Sequence, residues 1–326
     1  MLGEVWPFVQ VKHDAGQQVV LARLVDRDGP GARPLGATMA IAGDGTWRGS
    51  VSGGCVEGIV LDAARTVLDG GAPQVATVSP TAHLMPWEGT PACAGELTVL
   101  LTRAPDDPVR AAITAALAED RPLAVRVELE PPYSWSVTTA AEWPPPGDGG
   151  PAFVEELRPR STLVLFGATD LAATVARMTE PLHRRVVILD PRPGHVLSGA
   201  FPTTCEVVRT WPDEWIAGNP LRHQDAVVTL THDPRIDDRA IRAALGSEAG
   251  HVAALGSRAT HAQRLRRLAG TPGLHRLSGP AGLDLGAASL AETALSILAE
   301  VVAVGHSRSG RRLREVGTPI RAAVRR

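Results

Sequence analysis

One cysteine of this chain ends a glycine-rich turn, in Gly49-Ser-Val-Ser-Gly-Gly-Cys55-Val-Glu57-Gly58. The turn joins a strand-like run to an amphipathic run with helical spacing. Cys55 therefore falls at or beside a helix N-terminus, where unpaired N–H groups and the macrodipole favour negative charge. Gly53 and Gly54 carry no Cβ, so backbone amides can close on an anion there. Thiolate is the nucleophilic and metal-binding form of cysteine and a natural ligand for soft metals. The spacing accommodates a phosphate or a soft metal centre. It equally accommodates a buried cysteine beside a packing turn, and spacing alone leaves both readings open. Cys93, in Pro91-Ala-Cys-Ala-Gly95, opens a later strand and could face Cys55, whereas Cys205 has no glycine context and reads as structural. No Cys-x-x-Cys pair occurs and the ten histidines lack zinc spacing, which argues against a structural zinc site.

A second group of candidates lies in the other half of the chain. In open α/β sheets ligands sit beyond the C-terminal strand ends. Four turns fall there: Gly167-Ala-Thr169-Asp-Leu-Ala172, Asp190, Thr231-His232-Asp233 and Gly256-Ser257-Arg258. Asp190 follows Gly167 at about the distance at which an acidic residue accepts from a ribose. Thr169, however, stands where a dinucleotide fingerprint needs glycine, and its Cβ obstructs the close backbone approach to a pyrophosphate. His232 reads as structural or solvent-facing when taken alone. Arg258, at a helix start, is the better anion ligand of the set.

The elements that must position these residues are legible from periodicity. Val19–Val25 is a strand, Gly43-Asp-Gly45 turns a hairpin, and Val56 to Leu68 keeps the i, i+3, i+4 spacing of a helix. Strands are expected at 74–78, 96–101 and 123–129, with a helix at 107–117. Pro144-Pro-Pro-Gly-Asp-Gly-Gly-Pro151 breaks the pattern. Beyond it, short apolar strands at 163–166, 186–189, 206–208, 226–230 and 251–255 alternate with helices, and an apolar helix runs over 290–304. That rhythm predicts a doubly wound parallel sheet. The expected organisation is α/β overall: a mixed α+β domain over 1–145, a linker over 146–159, a Rossmann-like domain over 160–305 and a basic tail over 306–326.

With 44% hydrophobic and 21% charged residues, the 326-residue chain has the composition of a globular protein large enough for two domains. Its 33 basic and 35 acidic residues leave a formal charge of −2, which gives no reason to expect nucleic acid or a membrane as partner. Lys12 is the only lysine among those 33. Three cysteines suit a reducing compartment, and the first residues lack the basic start and apolar run of a signal peptide, so a cytoplasmic location is expected.

The first domain resembles the XdhC/CoxI family in Gly36-Ala-Thr-Met39, Gly43-Asp-Gly45, Gly49 to Glu57 and Cys93-Ala-Gly95. The second resembles that family's Rossmann-like domain in Val187 to Pro191, Thr231-His-Asp-Pro234, Gly256-Ser-Arg258, Gly279 to Gly286 and Glu292 to Glu300. The resemblance implies an accessory factor rather than a catalyst. Such a factor binds molybdenum cofactor (molybdopterin or its nucleotide form), protects it during sulfuration and delivers it to a xanthine-dehydrogenase-like molybdenum hydroxylase apoenzyme. It also implies a cysteine desulfurase as sulfur source and a homodimer. Carried onto this chain, Gly53, Gly54, Cys55, Glu57 and Cys93 belong to the cofactor-handling region, with Cys55 as metal ligand. Gly167, Asp190, His232 and Arg258 belong to the Rossmann-side cleft. Two departures stand out. The family's Gly-x-Gly-His becomes Gly167-Ala-Thr169-Asp170, which argues against nucleotide binding, and Ala94 replaces a glycine after Cys93. The alternatives are an NAD(P)-dependent oxidoreductase, opposed by Thr169 and by the lack of a Ser-Tyr-Lys set, and a scaffold that binds no cofactor.

Overall fold

The computed structural model describes residues 1–29, 32–79, 95–139, 150–196 and 201–317. The chain divides into two compact units, Met1–Pro159 and a second beginning at Arg160. The first contains α1 (Leu2–Asp14), β1 (Val19–Arg27), β2 (Thr38–Ala42), β3 (Trp47–Gly49), α2 (Glu57–Leu68), β4 (Gln74–Val78), β5 (Leu97–Arg103), α3 (Asp107–Ala118), β6 (Leu123–Glu128), β7 (Trp135–Thr139) and β8 (Ala152–Leu157). Five strands form an antiparallel sheet in the order β3-β2-β1-β5-β4, and three more pair as β7-β6-β8.

Strand β1 shows why this unit folds in layers. Successive side chains of a strand point to opposite faces. Val20, Ala22 and Leu24 pack with Val60, Ala64 and Val67 of α2. Val19 and Leu21 pack on the other side with Leu2, Val5 and Val9 of α1 and Ile113 of α3. Arg23 falls on that second face and is fully buried. It pairs with Glu155 of β8 and lies 5.4 Å and 5.1 Å from the ring centroids of Trp135 and Phe153. Glu155 also accepts from the Leu2 N–H at 3.1 Å. Part of the segment read as linker is therefore a strand: Ala152–Leu157 pairs antiparallel with β6, and its Glu155 closes a buried ion pair. Helix α1 was also not foreseen, because Pro7 inside it interrupts the helical pattern.

The second unit contains β9 (Thr162–Phe166), α4 (Asp170–Thr179), β10 (Arg185–Leu189), α5 (Pro193–Val196), β11 (Glu206–Val208), α6 (Pro212–Gly218), β12 (Ala226–Thr229), α7 (Pro234–Leu245), β13 (His251–Ala254), α8 (Arg258–Arg267), β14 (Leu277–Ser278) and α9 (Leu290–Gly305). Its six strands are parallel in the order β11-β10-β9-β12-β13-β14. Counted within the unit this is 3-2-1-4-5-6, the Rossmann order, with its switch point between β9 and β12. The strands are apolar throughout because both faces are covered. Leu163, Leu165 and Val228 meet α4 and α9, while Val164, Phe166 and Val227 meet α6 and α7. This is the doubly wound sheet that the strand–helix rhythm predicts.

Candidate functional site

The β2–β3 hairpin delivers the chain to the cysteine loop. At its end Gly49 has φ +87°, and a Cβ there would lie 2.1 Å from the Thr38 carbonyl oxygen, so only glycine fits. The loop then runs through Gly53 (φ +96°) and Gly54 (φ +123°) into α2. No backbone atom crowds the Cβ position of either residue: Gly53 would meet only the Ala32 Cβ at 3.6 Å, and Gly54 nothing within 4 Å. These glycines are needed for their left-handed dihedrals rather than for space.

Those dihedrals turn successive amides onto one carboxylate, that of Glu57. Its Oε1 accepts from Ser50 Oγ (2.6 Å), the Ser52 N–H (3.0 Å) and the Gly53 N–H (3.2 Å). Its Oε2 accepts from Ser52 Oγ (2.5 Å), the Gly54 N–H (2.9 Å) and the Val56 N–H (3.2 Å). Ser52 Oγ accepts in turn from the Cys55 N–H at 2.9 Å. Burial alone would raise the Glu57 pKa, but the bonds from Ser50, Ser52 and the backbone outweigh it and lower the pKa to about 2. Glu57 is 7% exposed, whereas Cys55 is exposed to solvent. The expectation of an open amide cradle for an external anion is thereby corrected. The amides of Gly53 and Gly54 are already bound to a carboxylate of the same chain, and Glu57 has no lone pair left for a ligand. The alternative of a cysteine sealed into a packing turn is excluded by the exposure of Cys55. Cys93 lies outside the described residues. Cys205 is half-buried, its Sγ donating to the Pro202 carbonyl at 3.2 Å, and burial raises its pKa. Among the described residues no three His, Cys, Asp or Glu side chains gather closely enough to hold a metal ion.

The crevice of the second unit is built by the turns after β9, β10, β12 and β13. Gly167 (φ +118°) lies at the switch point, where a Cβ would come 2.8 Å from Thr231 Cγ2 and 3.2 Å from the Thr231 nitrogen. Its role is to let two strand ends meet. Asp190 is fully buried and already holds partners of its own chain. Its Oδ2 accepts from the Ala168 N–H (2.9 Å) and Arg192 Nη2 (2.7 Å), and its Oδ1 from Arg192 N (2.9 Å) and Nε (2.9 Å). Burial would raise the Asp190 pKa, and the Arg192 and Ala168 bonds lower it on balance. The partner of Asp190 in this structure is thus Arg192, two residues on, which the sequence reading of a ribose acceptor does not include.

Three helices at this mouth are capped by their own chain. Thr169 Oγ1 accepts from the Ala172 N–H at 3.2 Å, Asp233 Oδ1 from the Arg235 N–H at 2.9 Å, and Ser257 Oγ from the Thr260 N–H at 3.0 Å. Thr169 therefore does more than obstruct a fingerprint, because it occupies the helix start itself. Behind the mouth, Thr231 Oγ1 donates to Asp237 Oδ1 (2.6 Å). Asp237 Oδ2 pairs with the buried Arg264 (3.5 Å), and Arg264 Nη2 donates to the Leu255 carbonyl (2.9 Å). His232 is exposed at φ +59°, and Arg258 is exposed at the first position of α8. Thus the fold brings Gly53, Gly54, Cys55 and Glu57 into one loop. It links Gly167 to Asp190 through Ala168 and sets His232 and Arg258 on two other turns of the same mouth. Ser50, Ser52, Arg192 and Asp237 were not singled out from sequence. The serines at five and seven residues before Glu57 were the one available signal.

By strand order the second unit is a Rossmann-type domain, and it follows an α+β unit with a presented cysteine. Two family descriptions match this arrangement: the XdhC and CoxI family over residues 13–79, and the XdhC Rossmann domain over residues 163–301. The chain belongs to the XdhC and CoxI family. It is 24% identical over 315 residues to a Bacillus subtilis protein named as a probable xanthine dehydrogenase subunit, covering 88% of this chain and 93% of that one. It is 26% identical over 300 residues to an Escherichia coli protein named the molybdenum cofactor insertion chaperone PaoD, covering 89% and 84%. A crystal structure described as a xanthine dehydrogenase from Bacillus halodurans superposes with a TM-score of 0.78 at 21% identity, over 93% of this chain and 96% of that one. At that identity the likeness establishes the shared fold.

Proposed function

We propose that this protein is an accessory factor that takes up molybdenum cofactor as cargo and passes it to a molybdenum hydroxylase apoenzyme, with Cys55 meeting the metal. The observation that carries the reading is the exposed thiol on a loop whose amides from Ser52 to Val56 are all hydrogen-bonded. It is supported by a relative named a molybdenum cofactor insertion chaperone. A solvent-facing sulfur on a fixed backbone is a suitable soft donor for a molybdenum centre that must be bound and then released. The phosphate end of the cargo has no free amides to use at this loop. Arg258, exposed at the start of α8, is the side chain of the second unit best placed for an anion. In this reading the first unit, with the 1–145 core and Cys93, handles the metal, and the second, over 160–305, supplies the Gly167, Asp190, His232 and Arg258 mouth. Sulfuration of the cargo by a cysteine desulfurase, a homodimeric assembly and a cytoplasmic location belong to the same proposal. No helix among the described residues is long and apolar enough to cross a membrane.

The test is metal and pterin analysis of the protein isolated from its host, beside uptake of purified molybdopterin by wild type and by Cys55→Ser. Co-purifying pterin and a loss of uptake in the serine variant are the expected results. Equal uptake by both, with equal maturation of the hydroxylase, refutes the role of the thiol.

A further inference from the structure

We propose that Glu57 is a positioning residue that presents Cys55 and makes no contact with the cargo; this rests on the reading of Cys55 given above. A carboxylate offers about four lone-pair sites, and that of Glu57 is met by six donors from Ser50, Ser52, Gly53, Gly54 and Val56. It is therefore saturated, and any effect it has on the cargo must pass through the loop. That path is continuous. Glu57 Oε2 accepts from Ser52 Oγ at 2.5 Å, and the same serine oxygen receives the Cys55 N–H at 2.9 Å. Ser50 Oγ both donates to Glu57 (2.6 Å) and accepts from the Gly53 N–H (2.7 Å). Every amide from Ser52 to Val56 is thereby tied to the carboxylate or to one of its two serine partners.

The consequence for the sulfur follows from the backbone. Residues with φ of +96° and +123° precede Cys55, and such glycines gain most from losing their order, so an unbraced segment would sample many conformations. With the brace in place the Cys55 Cα is fixed while its side chain faces solvent. The burial of Glu57 beside an exposed Cys55 fits this division of labour, in which one residue holds and its neighbour reacts. Ser52 shares the role as the relay between them.

The experiment uses the 326-residue chain as wild type, Glu57→Gln, Glu57→Ala, Ser52→Ala and Cys55→Ser. Molybdopterin uptake is measured beside amide hydrogen exchange over residues 50–57. Loss of a partner that orients a metal ligand costs on the order of ten- to a hundredfold in affinity. Glu57→Gln and Ser52→Ala are expected to weaken uptake by about tenfold or more and to speed exchange of the loop, with thermal unfolding still cooperative. The milder Ser52→Ala keeps the carboxylate and guards against a Glu57 variant that fails to fold. For Glu57→Ala, added formate should refill the space between the donors and restore both loop protection and uptake, a rescue that a general loss of stability would not show. Impaired Cys55→Ser beside unimpaired Glu57→Gln overturns this inference alone. Unimpaired Cys55→Ser overturns the reading of Cys55 and this inference with it.

Discussion

Replacing Glu57 by Gln should cost stability in a way that depends on pH, because the loop holds a charge as well as a shape. The folded carboxylate has a pKa of about 2 against an ordinary 4.5. A depressed carboxylate pKa contributes stability that is complete above the unfolded value and disappears as pH falls through the folded one. The window here runs from roughly pH 5 down to pH 2. The full difference corresponds to about 3 kcal/mol, which water at the edge of the loop reduces to roughly 2 kcal/mol. About half of it should be gone at pH 3. Urea unfolding of wild type and Glu57→Gln, followed by hydrogen exchange in α2, should give a gap about 1 kcal/mol smaller at pH 3 than at pH 7. Other acidic groups titrate in both proteins and cancel in the comparison. A gap that is the same at both pH values refutes the argument, since it would mean that the six donors hold the side chain without sensing its charge.

Two further outcomes follow from the buried polar features. Glu155→Gln leaves the enclosed Arg23 without its counter-charge and should destabilise the first unit by about 3–5 kcal/mol, whereas the double change Arg23→Met with Glu155→Gln should recover most of that in a urea titration. Gly167→Ala combines a left-handed dihedral with contact against Thr231 and should cost about 2–4 kcal/mol, which thermal unfolding of the full chain would detect.

Where one physical signal dominates, the fold was readable in advance. The turn at Gly43-Asp-Gly45, the spacing of Val56 to Leu68 and the alternation of apolar strands with helices after Leu163 each depend on local periodicity, and each element lies where it was expected. What escaped depended on distant partners. Ala152–Leu157 looks like linker beside its proline-rich neighbours, and becomes a strand because β6 offers it an edge. Arg23 occupies a core position only because Glu155, Trp135 and Phe153 surround it. The candidate site divides in the same way. The glycines and the cysteine do lie in a loop that opens a helix, as their spacing suggests, but the direction in which Glu57 folds back is not written in that spacing. The spacing that suggests a ribose acceptor at Asp190 carries no sign of Arg192, which reaches it from only two residues away.

The self-capped helices at the mouth of the second unit have a bearing on how that surface can evolve. Thr169, Asp233 and Ser257 each satisfy one of the orphan amides of the helix that follows, so each helix start has one donor fewer for a visitor. If this surface receives part of the cargo, as proposed above, exposed groups such as His232 and Arg258 would share in recognising it, and their replacement need not disturb a single strand. On that proposal the mouth would change its clientele by point substitution, and any grip on anions would loosen steeply as ionic strength rises.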